Sequence, residues 1–115
     1  LSYVLVRCKA DVETASNAAE AFAKLTSERF DVLISDVGMP DEDGLALMRK
    51  VRALKPSEGG RIPALALTAY ARAEDRKAAL RAGFNVHMAK PVEPGELALV
   101  VAALAERTHA SDKPS

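Results

Sequence analysis

Tryptophan is absent, aromatic residues make up only 4% of the chain, and there is a single cysteine, Cys8. One cysteine excludes an internal disulfide and fits a reducing compartment; as a small buried hydrophobe it needs no further role. Net charge is also absent, because 16 basic side chains balance 16 acidic ones. A neutral chain gives no electrostatic reason to expect nucleic acid or an anionic membrane as the main partner. No apolar run approaches the roughly 18 residues that a membrane span needs, and no signal peptide is visible. What remains is 115 residues, 49% hydrophobic and 28% charged. That suits one globular domain with a single core. No repeat and no linker divides it.

From residue 10 onward, strand-like and helix-like stretches alternate. Asp11 to Ala15 reads as a short strand. Ser16 and Asn17 can cap a helix, with Glu20 placed as in a capping box, and Ala18, Ala21, Phe22 and Leu25 then recur at helical spacing. Asp31 to Asp36 is a strand whose continuous apolar run suits burial on both faces of a parallel sheet. Leu47, Met48 and Val51 stripe a helix that begins near Gly44. Residues 55–63, KPSEGGRIP, form a loop. Ile62 to Ala69 is a second buried strand. Glu74 to Ala82 is a charged helix stopped by Gly83, and Asn85 to Ala89 is a short strand. Pro94 sits at a first helical position, ahead of a stripe of Leu97, Val100, Val101 and Leu104. The end of the chain, THASDKPS, is polar. The first stretch, SYVLV, has the β-propensity of a strand, but Leu1, Val4, Leu5 and Cys8 also fall on one helical stripe. The stripe favours the end of a helix.

Alternating strands and helices imply an α/β domain with a parallel sheet. Such sheets bind ligands at the carboxyl ends of their strands. Three polar residues fall there, Asp36, Thr68 and Lys90, on three successive strands. A carboxylate that attacks a phosphoryl group needs help with charge, since both partners are anionic. Lys90 offers a mobile point charge and Thr68 a hydroxyl, while the backbone carbonyl of Gly38 could serve a hard cation such as Mg²⁺. Each residue alone also has an ordinary reading, as a loop cap, a strand threonine or a surface lysine. Their coincidence on consecutive strands argues for chemistry.

The stretches DVLISDVGMPDEDG, IPALALTAYA and HMAKPVEP resemble the receiver domain of two-component response regulators, most closely the receivers of hybrid sensor histidine kinases. The resemblance extends from about residue 10 to 105, within a receiver domain set at 1–107 and followed by the polar tail 108–115. It implies a flavodoxin-like fold with strand order 2-1-3-4-5. It makes Asp36 the phospho-acceptor and a Mg²⁺ ligand together with the Gly38 carbonyl. It makes Thr68 and His87 the switch residues, Lys90 the phosphate-contacting lysine, and Lys90–Pro91 a cis peptide. For His87 an ordinary exposed strand histidine stands as the equal alternative. The implied donor is a histidine kinase or histidine phosphotransfer domain, in the cytoplasm. Dimer contacts would run through the last helices or an exposed sheet edge. The domain would be a switch rather than an enzyme.

One departure is evident. The family opens with a strand that ends in two metal-binding acids, then a helix, and only then the strand matched by Asp11 to Ala15. Too few residues precede Asp11 here, and none is acidic. The expectation is therefore an amino-terminally truncated receiver that lacks its first strand, its acidic pair and the start of its first helix, and binds Mg²⁺ weakly or not at all. Two other readings stay open. One is a degenerate receiver that binds a partner without phosphorylation. The other is a phosphohydrolase with Asp36 as nucleophile; Gly38 and Pro40 argue against it, since they occupy the region where a second acid would protonate the leaving group.

Overall fold

The computed structural model describes residues 2–7, 11–37, 42–56, 59–68 and 72–112. They form, in chain order, β1 (Ser2–Arg7), β2 (Asp11–Ala15), α1 (Ala18–Ser27), β3 (Val32–Val37), α2 (Glu42–Ala53), β4 (Ala64–Thr68), α3 (Ala73–Ala82), β5 (Val86–Ala89) and α4 (Pro94–Asp112). The strands make one five-stranded sheet in the order β2-β1-β3-β4-β5. This is the flavodoxin-like order. The helix α4 continues into the segment read from sequence as a polar tail.

Two expectations about the amino end are corrected. SYVLV is a strand, not the end of a helix, and the central position of the sheet is filled rather than missing. The sheet is also mixed. β1 runs antiparallel to both neighbours, pairing Tyr3 with Ala15 on one side and with Ser35 on the other. Two physical reasons account for this. A gap between β2 and β3 would leave two rows of backbone donors and acceptors unpaired, at about 1–3 kcal/mol for each buried group. A local helical stripe cannot outweigh that. The direction follows from loop length. Arg7 pairs with Asp11, so β1 and β2 are joined by residues 8–10 alone. A parallel crossover needs a dozen or more residues, whereas an antiparallel hairpin closes over a few.

Alternation along β1 then serves both faces. Tyr3 and Leu5 join Leu33, Ala64 and Ala66 in a core against α1, α2 and α3, whereas Val6 joins Val32, Ile34, Leu65 and Leu67 against Leu104 and Ala105 of α4. β4 is buried along its whole length, as a strand covered on both sides should be. The capping expectation for α1 holds. Asn17 Oδ1 accepts from the Glu20 N–H at 2.8 Å, and the Glu20 carboxylate reaches back to Ser16 N–H and Oγ at 3.2 and 2.9 Å. Those bonds hold the Glu20 carboxyl below its ordinary pKa. Gly83 ends α3 with φ of 121°, a conformation that disfavours side chains.

The end of the sheet away from the strand tips is tied by two arginines. Arg7 Nε and Nη2 approach Asp11 at 3.0 and 2.9 Å, Nη2 reaches Glu13 at 3.2 Å and Nη1 reaches Glu28 at 2.5 Å, with the guanidinium 5.2 Å from the Phe30 ring centroid. Arg52 donates from Nε and Nη2 to the Gly83 carbonyl at 3.0 and 2.7 Å, from Nη1 to the Gly60 carbonyl at 3.0 Å, and from Nη2 to Asn85 Oδ1 at 3.1 Å.

Candidate functional site at the strand tips

Parallel pairing sets β3, β4 and β5 in a register that ends them together. Val37 is level with Thr68, and Thr68 with Ala89. Asp36 is the next-to-last residue of β3, Thr68 is the last of β4, and Lys90 follows directly after β5. Adjacent strands lie about 4.8 Å apart, so the three positions are near neighbours on one edge although they are far apart in sequence. A backbone bond fixes the last of them, since Lys90 N–H donates to the Thr68 carbonyl at 2.7 Å. Thr68 is buried and Lys90 is exposed. The Lys90–Pro91 peptide bond is cis. Gly38 lies outside the described residues.

His87 stands on β5 opposite Ala66 of β4. It is half-buried and lines a cavity of about 50 Å³, large enough for more than one water molecule. Around it stand Ser35, Thr68, Asp75, Ala79 and Phe84, with Leu45 of α2. Burial lowers the His87 pKa from its ordinary value and the Arg76 charge lowers it further, while the Asp75 charge opposes both. The Asp75 carboxylate has one oxygen, Oδ2, that is buried without a hydrogen-bond partner.

Sequence reasoning put forward Asp36, Thr68, His87 and Lys90 but did not single out Ser35 or Asp75, which line the cavity with Thr68 and His87. Ser35 had a usable signal, because strand alternation turns it to the face opposite its neighbour Ile34. Asp75 had none, since a charged residue in the first turn of a polar helix is commonplace.

Toward β2 the edge is differently furnished. Because β1 is antiparallel, Ser2 is the residue set against Asp36, and Arg7 is carried to the far end of the sheet together with Asp11. Asp11 therefore cannot serve the strand tips. No cluster of three His, Cys, Asp or Glu side chains with metal-ligand geometry occurs among the described residues. Among those residues, no helix is long and apolar enough to cross a membrane.

The profile of the response regulator receiver domain matches residues 1–102. An uncharacterized 14.6 kDa protein of the sodA1 3′ region of Leptolyngbya boryana is 50% identical over 101 residues, covering 88% of this chain and 76% of that protein. The sensor protein EvgS of Escherichia coli K12 is 38% identical over 82 residues, which are 71% of this chain but only 6% of EvgS. Among solved structures, a putative response regulator from Chloroflexus aurantiacus superposes with a TM-score of 0.71 at 34% identity, covering 81% of this chain and 75% of that one. The receiver domain of the sensor histidine kinase PA1611 from Pseudomonas aeruginosa gives 0.68 at 32% identity, covering 80% and 74%.

That PA1611 receiver holds a magnesium ion in its active-site cleft. In the present chain the register of β1 sets Ser2, not an acid, against Asp36, so the described part of β1 adds no carboxylate to the one that Asp36 brings. The sheet order, the three polar strand ends, the profile and the relatives nonetheless agree, and this chain belongs to the response regulator receiver domain family of two-component signal transduction.

Proposed function

We propose that the domain is a phosphorelay receiver that takes a phosphoryl group from a phosphohistidine onto Asp36 and signals by a change of conformation. The observation that carries this reading is the common ending of β3, β4 and β5, which sets Asp36, Thr68 and Lys90 on one edge. In the proposed step an Asp36 carboxylate oxygen attacks phosphorus. The P–N bond to the donor imidazole breaks, and the electron pair leaves on the imidazole nitrogen, which takes a proton. The Lys90 ammonium offsets charge on the phosphoryl oxygens, and the Thr68 hydroxyl donates to one of them. The product carries about −1.5 to −2 charge at a strand tip. Thr68 and Lys90 turn toward it, and His87 follows. The donor class is a histidine kinase or phosphotransfer domain, in keeping with the sensor proteins among the relatives.

The test is exposure of the chain to phosphoramidate, followed by borohydride trapping, which converts an aspartyl phosphate to homoserine. Slow conversion at position 36, lost in Asp36→Asn, is the expected result. Undiminished labelling of Asp36→Asn would place the acceptor elsewhere. A second reading, a receiver that binds its partner without phosphorylation, is favoured by the register of β1, which among the described residues sets Ser2 rather than an acid against Asp36. Partner binding that Asp36→Asn leaves unchanged would select it.

A further inference from the structure

The cavity beside Thr68 contains an asymmetry that the phosphorylation site does not use. Its walls from β3 and β4 are uncharged, being Ser35, Ala66 and Thr68, and those from α2 are Gly44 and Leu45. Two titratable groups line it, His87 from β5 and Asp75 from the first turn of α3, and the Asp75 charge acts on His87. Arg76, the neighbour of Asp75, is exposed on the same helix. The Asp75 Oδ2 atom is out of contact with solvent and has no hydrogen-bond partner. A buried acceptor left in that condition is costly, and an imidazole N–H is a donor that can satisfy it. The histidine is already at the cavity wall and only half-buried.

We propose that Asp75 is the acceptor for His87, and that entry of the imidazole into this cavity and its protonation are one coupled event. This inference rests on the reading of His87 as a switch residue, and it adds a proton to that switch. Neutral His87 stays at the cavity mouth, where water solvates it. Protonated His87 gains an ionic hydrogen bond to Asp75 inside the cavity, where the low dielectric strengthens it. The cavity-bound imidazole then has the higher pKa of the two positions. The sign follows. The inward position is favoured as pH falls through the higher pKa, and the gain stops below the lower one. Between the two pKa values, the ratio of inward to outward positions rises up to about tenfold per pH unit, the limit for one coupled proton. Arg76 opposes protonation in both positions, because its charge lowers the His87 pKa from outside the cavity.

The unphosphorylated chain is sufficient for the test. The imidazole of His87 is followed by NMR from pH 8 to pH 5, with His109→Gln to separate the other histidine, alongside the methyl groups of Leu45, Ala78 and Ala79 that line the cavity. In the native chain these methyl shifts should titrate with the His87 midpoint. In Asp75→Ala, His87 should still titrate, at a lower pH, while the cavity methyls no longer follow it; alanine suits a helix, so the fold is retained. In His87→Phe the methyls should be independent of pH. Cavity methyls that ignore pH in the native chain, or that follow His87 equally well in Asp75→Ala, would overturn the proposal. Labelling of Asp36 is measured separately, so a receiver that cannot be phosphorylated and a cavity without a proton latch give different results.

Discussion

Ser2 lies opposite Asp36 of β3, and Arg7, at the other end of the same strand, lies opposite Asp11 of β2. β1 therefore fills the middle of a receiver sheet upside down. It supplies the backbone pairing and apolar side chains that a central strand must give, but it brings its amino end to the site.

Cross-strand contacts report that reversal directly. NMR should show backbone NOEs from Tyr3 to both Ala15 and Ser35, and from Leu5 to both Glu13 and Leu33, as the register requires. A parallel β1 would set Tyr3 near the start of β3 instead, and NOEs of that pattern would refute the hairpin.

Magnesium should stabilise this chain very little. With Ser2 set against Asp36 and Asp11 at the opposite end of the sheet, the described residues of β1 and β2 bring no further carboxylate to the strand tips for an ion that sheds water reluctantly. For a Kd of ~10 mM or weaker, 1 mM Mg²⁺ adds less than ~0.1 kcal/mol. That moves the Tm of a domain this size by under ~1 °C. Thermal unfolding with and without the ion measures it, and a shift of several degrees would mean that acids outside the described residues complete the site.

Arg52 should matter more for stability than any surface charge. Its guanidinium joins three segments, donating to the carbonyls of Gly60 and Gly83 and to Asn85 Oδ1, which in turn accepts from the Ala64 N–H at 2.8 Å. Desolvation lowers its pKa, yet a guanidinium remains charged at any pH where the chain folds. Arg52→Ala leaves part-buried carbonyls without donors, so a loss of about 2–3 kcal/mol is expected, or a Tm lower by roughly 10–20 °C. Arg52→Lys should recover little, because a point charge cannot span the fork. Unfolding curves in denaturant decide it, and a loss under ~0.5 kcal/mol would show the bonds to be dispensable.

The difference between what could and could not be read from sequence has a physical basis. β3 and β4 were legible because their apolar runs are continuous and bounded by turns, and α1 because Asn17 and Glu20 form a local cap. Asp36, Thr68 and Lys90 followed from strand ends, which local pattern locates. β1 was misread because Val4 and Leu5 satisfy a helical stripe and a two-faced strand equally well. The deciding term, a vacancy between β2 and β3, exists only in the tertiary structure. The direction of β1 could have been found, since the short connection to Asp11 already rules out a parallel crossover. The meeting of Asp75 and His87 at one cavity could not, as it depends on how α3 packs on β5.

Lys90→Ala separates function from fold most cleanly. The side chain is exposed at the tip of β5. The bond from its N–H to the Thr68 carbonyl belongs to the backbone and survives in alanine. No core volume is removed, so stability should change by less than ~0.5 kcal/mol. The loss should fall on the response. On the proposed reading, the new charge on Asp36 loses the Lys90 ammonium, and Thr68 and His87 lose the pull that couples them to the phosphoryl group. Trapped homoserine at position 36 should still be detectable, whereas the shift changes that phosphorylation produces at Thr68 and His87 should largely vanish. Lys90→Arg should keep part of them, because the charge is retained in a bulkier form. The informative comparison is denaturant unfolding beside NMR spectra of the phosphorylated variant. A variant that unfolds several kcal/mol more easily, or one whose Thr68 and His87 shifts match those of the native chain, would remove Lys90 from the switch.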